Sequence, residues 1–312
     1  LPKIAFGCAG VALPVLPALF DGYELFLARA ILAYAIAAMG LNVLMGFNGQ
    51  ISLGHGAFFA IGAYTAAISI EQFGIPLLAA PIVAGLTGIL FGWLVGKPAM
   101  RLEGLYLALA TFALALSIPS ILRSDLFSDW TGGVQGIFLL LDPAPEWTGL
   151  NLDQTIYFAV LVYFFIFSFV TWRLVKGMNG AAWIATRDNQ IAARAMGFDV
   201  ARAKMRAFVY SATCCAVGGA LYGIAVQFVA PDSFLFILSI SLFTAVVVGG
   251  LCSPLVGPEL GSAFIVFVPN VTEEVWQGGS WAVYGAVIIL IMTLQPGGLA
   301  GLFQAVANRW RS

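Results

Sequence analysis

Apolar residues run along this chain in long unbroken stretches, separated by short polar breaks. A membrane crossing takes about 20 apolar residues in helical conformation. Ten stretches qualify, at residues 4–20, 25–45, 51–70, 76–96, 104–122, 154–172, 207–230, 235–251, 258–275 and 281–295. Lys3 followed by apolar residues mimics a signal peptide, but no small-residue cleavage site follows, so 4–20 is read as a first span. Pro81, Pro119 and Pro269 are expected to kink or interrupt spans.

Two breaks are long. Residues 123–153 carry acids, Trp130, Trp147, Thr131-Gly132-Gly133 and Pro143-Ala144-Pro145. They read either as a compact structural loop with aromatic belt residues or as a docking surface or outer gate. The second break, from Lys176 to Arg206, reads KGMNGAAWIATRDNQIAARAMGFDVARAKMR. From Gly180 onward Ala181, Ile184, Asp188, Ile191 and Ala195 recur at helical spacing, with Arg187 and Arg194 on another face. The pattern predicts one amphipathic helix over 184–196. Gly197 would close it in the left-handed conformation, and Asp199 would cap the next helix. Such a helix, held between two spans, can lie across a membrane face and dock into a partner; resting on lipid headgroups is the plainer alternative.

Composition agrees with the pattern. The 312 residues are 61% hydrophobic and 9% charged, with mean hydropathy +0.97, against about 25% charge in ordinary soluble domains. The expected fold class is all-α, a polytopic membrane protein with one membrane domain over 1–312. The net charge of -1 and the absence of a basic arm give no support to nucleic-acid binding. Cys8, Cys214, Cys215 and Cys252 sit in apolar sequence with no C-x-x-C spacing, and are read as small buried residues rather than metal ligands or disulfides.

Charge sets the expected orientation. With alternating spans and a cytoplasmic N-terminus, the inside holds twelve basic residues: Lys3, Lys97, Arg101, Arg173, Lys176, Arg187, Arg194, Arg202, Lys204, Arg206, Arg309 and Arg311. The outside holds Arg29 and Arg123, together with acids that include Glu71, Asp125, Asp129, Asp153 and Asp232. Lys and Arg stay on the cytoplasmic side during insertion, so both termini are expected there, with 123–153 outside and 177–206 inside.

One further stretch is unusual. GLNVLMGFNGQISLGHGAFFAIGAYTAA, residues 40–67, mixes glycines with polar side chains in apolar surroundings. Glycine-rich breaks at membrane depth are how transporters present backbone groups to a solute. Asn42, Gln50, Ser52 and His55 are the candidate pathway residues, with Phe58 and Phe59 as apolar walls. His55, the single histidine, has three readings: a hydrogen-bonded packing residue, a pathway or gating residue, or a proton relay. The last lacks an obvious intramembrane carboxylate partner.

These residues carry a resemblance. GLNVLMGFNGQISLGHGAFFAIGAYTAA, GLYLALATFALAL at 104–116, TGGVQGI at 131–137, GAAWIATRDNQIAARAMGFDVARAKMRAFVYSA at 180–212 and VVVGGLCSPLVGPELGSAF at 246–264 resemble, in order, the permease subunits of branched-chain amino acid ABC importers. The resemblance covers nearly the whole chain. It implies a bacterial inner-membrane subunit paired with a second, homologous permease, two cytoplasmic ATPase subunits and a periplasmic binding protein. It also implies a fold similar to the membrane subunit of the vitamin B12 importer. The coupling helix would be carried by Arg187, Asp188, Ile191, Arg194, Ala195, Met196 and Gly197. Cys252-Ser253-Pro254 departs from the Gly-x-Gly more common in the family, which puts the flexibility of that turn in question.

No G-x-x-x-x-G-K-[ST] motif occurs, so this chain is expected not to hydrolyse ATP alone; the resemblance implies no cofactor in this chain, with ATP and Mg on partner subunits. The resemblance favours branched-chain amino acids as solutes; related permeases carry urea, short amides or aromatic acids. An ion-coupled carrier would need deep ionisable groups, and an intramembrane enzyme a nucleophile or paired carboxylates; the sequence offers little of either.

Overall fold

The computed structural model describes residues 22–102, 104–141 and 150–275, with isolated positions at 13, 17 and between 283 and 301. Its principal helices are α1 (Tyr23–Asn42), α2 (His55–Glu71), α3 (Ala80–Ala99), α4 (Leu105–Leu122), α5 (Leu152–Lys176), α6 (Met178–Asp188), α7 (Gln190–Ala195), α8 (Val200–Val226), α9 (Phe236–Gly249) and α10 (Val256–Val275). Among the described residues the extended pairing is a single short ladder, β1 (Ile137–Phe138) antiparallel to β2 (Phe228–Val229). The chain is an all-α membrane protein. Among the described residues five helices, namely α1 with its continuation to Phe47, α3, α4, α5 and α8, are long and apolar enough to cross a membrane. The shorter α9 is also apolar. Of the predicted spans, 4–20 lies almost wholly outside the described residues, and 281–295 is described only at scattered positions.

Helix α8 is the centre of the molecule, packed against α1, α2 and α3. The α2–α8 crossing is a backbone-to-backbone contact. A Cβ on Gly62 would overlap the Ala216 carbonyl, and one on Gly219 would overlap the Phe59 carbonyl. In lipid, where apolar side chains gain little by leaving the hydrocarbon, such close approach is what holds helices together. Helices α3, α4 and α5 form the outer layer. Leu86, Leu90 and Leu94, Leu105 and Leu109, and Val162 and Phe169 remain exposed on them.

One proline behaves otherwise than its position in a predicted span suggested. Pro81 stands in the first turn of α3 and interrupts nothing, because the N–H it lacks would have no intrahelical acceptor there. Pro119 and Pro269 do lie inside α4 and α10.

The two ends of the bundle differ in charge. At one end Arg29 of α1 pairs with Asp153 of α5 at 2.8 Å, Arg123 pairs with Asp232, and Glu71 accepts from the Leu140 N–H at 2.6 Å. Thr131 folds its turn locally, donating to the Leu122 carbonyl at 2.9 Å and accepting from the Gly133 N–H at 3.2 Å. All the charged residues in these contacts belong to the side that the sequence places outside. Pro143, Ala144, Pro145, Glu146 and Trp147 lie outside the described residues. At the opposite, basic end Lys97 sits 3.6 Å over the ring of Trp93, and Lys176 sits 4.8 Å over Trp172.

Candidate functional site

The basic end is built on the segment between α5 and α8. The single helix predicted over 184–196 is two helices, α6 and α7, broken at Asn189. Asn189 has extended backbone angles, φ −160 and ψ 109. Its Oδ1 accepts from the N–H groups of Ile191 and Ala192 at 2.9 and 3.0 Å. A short amide side chain competes with the helical backbone for these donors, so Asn caps a new helix where a helical pattern alone would run on. The expected ends are present. Gly197 has φ +85, and the N–H groups of Gly197 and Phe198 return to the carbonyls of Arg194 and Ala193, both at 3.0 Å. Asp199 Oδ1 accepts from the Arg202 N–H at 3.0 Å. That backbone hydrogen bond, aided by the nearby Arg202 charge, holds the Asp199 carboxyl below the usual carboxylate range.

Trp183 and Arg187 are among the side chains that fasten this segment to the spans. Trp183 is almost fully buried, and its Nε1–H donates to the Ala203 carbonyl at 3.0 Å, joining α6 to the start of α8. Its only signal in the sequence is bulk, one indole among small residues. Arg187 reaches the membrane body. Its Nη1 donates to the Gly46 carbonyl at 2.7 Å and lies 3.0 Å from Cys252 Sγ. Its guanidinium also pairs with Asp188 at 2.9 Å; this hydrogen bond to Asp188 raises its already high pKa. The remaining predicted coupling residues Ile191, Arg194, Ala195, Met196 and Gly197 are exposed, as is Asp188. Ile191 and Met196 are 80% and 65% exposed.

Gly46 belongs to a widened π turn, Val43–Phe47, that continues α1. The same turn meets the α9–α10 connection. Asn42 Oδ1 accepts from the Cys252 N–H at 3.3 Å, its Nδ2 donates to the Ser253 carbonyl, and Cys252 Sγ lies 3.1 Å from the Gly46 carbonyl. Cys252 has φ +65. It therefore occupies left-handed backbone that favours glycine, held there by these bonds at a cost of about 1 kcal/mol or more. The question over this turn resolves as a pinned turn with glycine-like geometry. Cys252 is exposed, contrary to the buried role expected for it; Cys214 and Cys215 are buried as expected. Cys8 lies outside the described residues.

The predicted pathway residues are all buried, in three settings. Asn42 belongs to the joint just described. Ser52 and His55 form a second network: His55 Nδ1 is 2.9 Å from Ser52 Oγ, and Nε2 is 2.7 Å from Ser211 Oγ of α8. A neutral imidazole bonded at both nitrogens, one donating and one accepting, fits the packing reading of His55. Phe58 meets His55 and Phe208 edge-on, and Phe59 stacks on Tyr34 at 5.4 Å. Ser211, together with Ser239 and Thr111, whose hydroxyls accept from the N–H groups of Gly56 at 3.0 Å and Leu53 at 3.1 Å, is the polar support that the sequence did not single out. Gln50 borders a cavity shared with Asn48 and Arg187.

Comparison with known proteins adds the following. A family model described as branched-chain amino acid transport system / permease component matches residues 24–293. The chain is 30% identical over 298 residues to the high-affinity branched-chain amino acid transport system permease protein LivM of Escherichia coli (strain K12), covering 88% of this chain and 69% of the relative. It is 26% identical over 290 residues to the probable branched-chain amino acid transport permease protein LivH of Methanocaldococcus jannaschii, covering 86% and 88% of the two chains. A shorter match, 27% over 175 residues, reaches the autoinducer 2 import system permease protein LsrC of an Enterobacter strain, covering 53% of this chain and 49% of the relative. No solved structure matches.

Proposed function

The chain belongs to the branched-chain amino acid transport permease family, and we propose that it is the membrane subunit of an ATP-binding-cassette importer that takes up branched-chain amino acids. In this reading the chain spans a bacterial inner membrane ten times, in a fold like that of the vitamin B12 importer's membrane subunit. Both termini and residues 177–206 lie in the cytoplasm. It pairs with a second homologous permease, receives solute from a periplasmic binding protein, and is driven by two ATPase subunits that carry ATP and Mg.

One observation carries this reading: Arg187 ties the exposed α6–α7 segment to both the end of α1 and the α9–α10 turn. An ATPase that grips Ile191, Arg194, Ala195 and Met196 would move α6, and through Arg187 and Trp183 the motion would reach α1, α8 and the turn at Cys252. Asn42, Gln50, Ser52, His55, Phe58 and Phe59 are buried in this conformation and would border the solute path when these helices separate. Asp188, paired with Arg187, would hold the guanidinium in place at the ATPase side.

The test is reconstitution. Coexpressed with its neighbouring ATPase and permease subunits, the chain should copurify with them and, with the binding protein, drive ATP-dependent uptake of leucine, isoleucine or valine into proteoliposomes. Uptake by this chain alone, driven by an ion gradient, would favour a secondary carrier instead. ATP-driven uptake of urea, short amides or aromatic acids in place of leucine would keep the importer and change its solute.

A further inference from the structure

At the basic end the turn after α1, the α3–α4 connection and α6 enclose a cavity of about 80 Å³. Two of its lining residues are anomalous. Asn48 and Gln50 are 3% and 6% exposed. Yet the Nδ2 and Oδ1 of Asn48 and the Nε2 and Oε1 of Gln50 have no hydrogen-bond partner among the described residues. Buried amides are nearly always satisfied, and an exception calls for a specific cause. Two orphaned amides in one lining offer donors and acceptors together. Arg187 and Lys204 line the same cavity, the latter with its Nζ 3.3 Å from Gln190 Oε1. The lining also has an apolar part, Ala99, Met100, Leu102 and Leu107.

A ligand that fits this lining has a carboxylate for the amide N–H groups and the cationic side chains, an ammonium for the amide oxygens, and an aliphatic chain for the apolar residues. A buried water needs about 10–15 Å³ of such space, so the cavity has room for a small headgroup rather than a single water. We propose that this cavity binds the zwitterionic headgroup of a free aliphatic α-amino acid on the ATPase side of the membrane, as the last station before release. It rests on the import reading above. The site touches Arg187, so an amino acid held there sits against the joint between α6 and Gly46. Product accumulated inside would therefore rebind and slow the next cycle.

The experiment is equilibrium binding of radiolabelled L-leucine to the assembled permease–ATPase complex in nanodiscs, without the binding protein, beside leucine uptake by the full system. Saturable binding is expected, with leucinamide and 4-methylpentanoate each competing at least 10-fold more weakly than leucine, because each lacks one of the two charges. Gln50→Met and Asn48→Leu should each weaken binding at least 10-fold. Their melting midpoints should stay level or rise, since the amides they remove have no partner to lose. Parental binding in both variants, or displacement by inorganic phosphate as effective as by leucine, would overturn the site. Leucine uptake without saturable binding would overturn the site and leave the import reading standing. Absence of both would overturn the two together.

Discussion

Arg187 on α6 donates a 2.7 Å hydrogen bond to the carbonyl of Gly46, 141 residues away in the chain, at the point where α1 widens into a π turn. The widening supplies the acceptor. In the turn the Asn48 N–H bonds back to Val43 and the Gln50 N–H to Leu44, which leaves the Gly46 carbonyl to Arg187 and Cys252. A guanidinium planted on a carbonyl at a helix end is well placed electrostatically, because the C-terminal end of a helix favours positive charge.

Removing that guanidinium should uncouple the two halves of the joint. Hydrogen bonds from charged donors contribute about 1.5–3 kcal/mol, and the lower figure suits a side chain still 34% exposed. Arg187→Ala should therefore leave the permease folded and bound to its ATPases while the amount of solute moved per ATP falls severalfold. Arg187→Lys, which keeps charge but not the fork, should fall between. A transport-to-hydrolysis ratio equal to the parent in both variants would remove Arg187 from the coupling route.

The exposed end of the α6–α7 segment should behave as a docking surface. Ile191→Asp puts a charge on a side chain that is 80% exposed and touches little within the chain, so insertion and folding should be unaffected. Copurification of the ATPase subunits should drop. Gly197→Val acts differently: nothing crowds its position, but φ is +85, and a β-branched residue there costs on the order of 1–2 kcal/mol. It should lower substrate-stimulated ATP hydrolysis while leaving the chain in the membrane. Normal association and normal hydrolysis in both variants would favour a segment that merely rests on lipid.

The α2–α8 crossing should tolerate no side chain at its contact point. Gly62→Val would drive its Cβ into the Ala216 backbone, and overpacking costs about 1–3 kcal/mol, more where the neighbour is backbone that cannot yield. Little folded permease should be recovered in detergent. Gly85→Ala is the control. Its Cβ would meet a Val217 methyl at 3.3 Å, a side chain that can yield, and its yield should match the parent. Equal yields of Gly62→Val and Gly85→Ala would refute the packing described for α8.

Orientation has a direct readout. With the native cysteines replaced, Leu140→Cys lies at the acidic end and Ile191→Cys at the basic end; the parent side chains are 83% and 80% exposed. An impermeant thiol reagent applied to intact cells should label the first and spare the second. Reversed labelling would invert the topology.

The start of α8 should loosen in acid. Asp199 has a depressed carboxyl pKa because it accepts the Arg202 N–H. A depressed carboxylate contributes stability that is present above its unfolded value, near 4, and is lost as pH falls through the folded value. Hydrogen exchange at the first turn of α8 should thus be slow at neutral pH and quicken below about pH 4 relative to later turns. In Asp199→Asn, which still caps but does not titrate, that acceleration should be absent. Identical profiles in parent and variant would assign the protection elsewhere.

Much of this molecule was legible as sequence because the membrane leaves few choices. With no water to satisfy backbone groups, an apolar run of about 20 residues must be helical, so the all-α class followed from the spacing of polar breaks. Gly197 and Asp199 were legible for a related reason: the left-handed stop and the helix cap are local, and each depends on residues within a few positions. The family followed from several ordered motifs at once.

Contacts between distant residues were decided only by the tertiary structure. The break at Asn189 shows how close the balance is, since a helical pattern and a capping amide compete there over one turn and the amide prevails. Trp183 carries no periodic signal, and its role exists only because the Ala203 carbonyl comes to lie 3.0 Å from its indole nitrogen. The polar stretch from Asn42 to His55 reads in sequence as one candidate pathway; folding divides it into a joint with Cys252, a network with Ser211, and a pair of unpartnered amides on a cavity wall. A hydrogen-bonding side chain announces its capacity in the sequence, but its partner is set by which helices are brought together. That is decided by close backbone approach at Gly62 and Gly219, a property of the packed bundle and of no single segment.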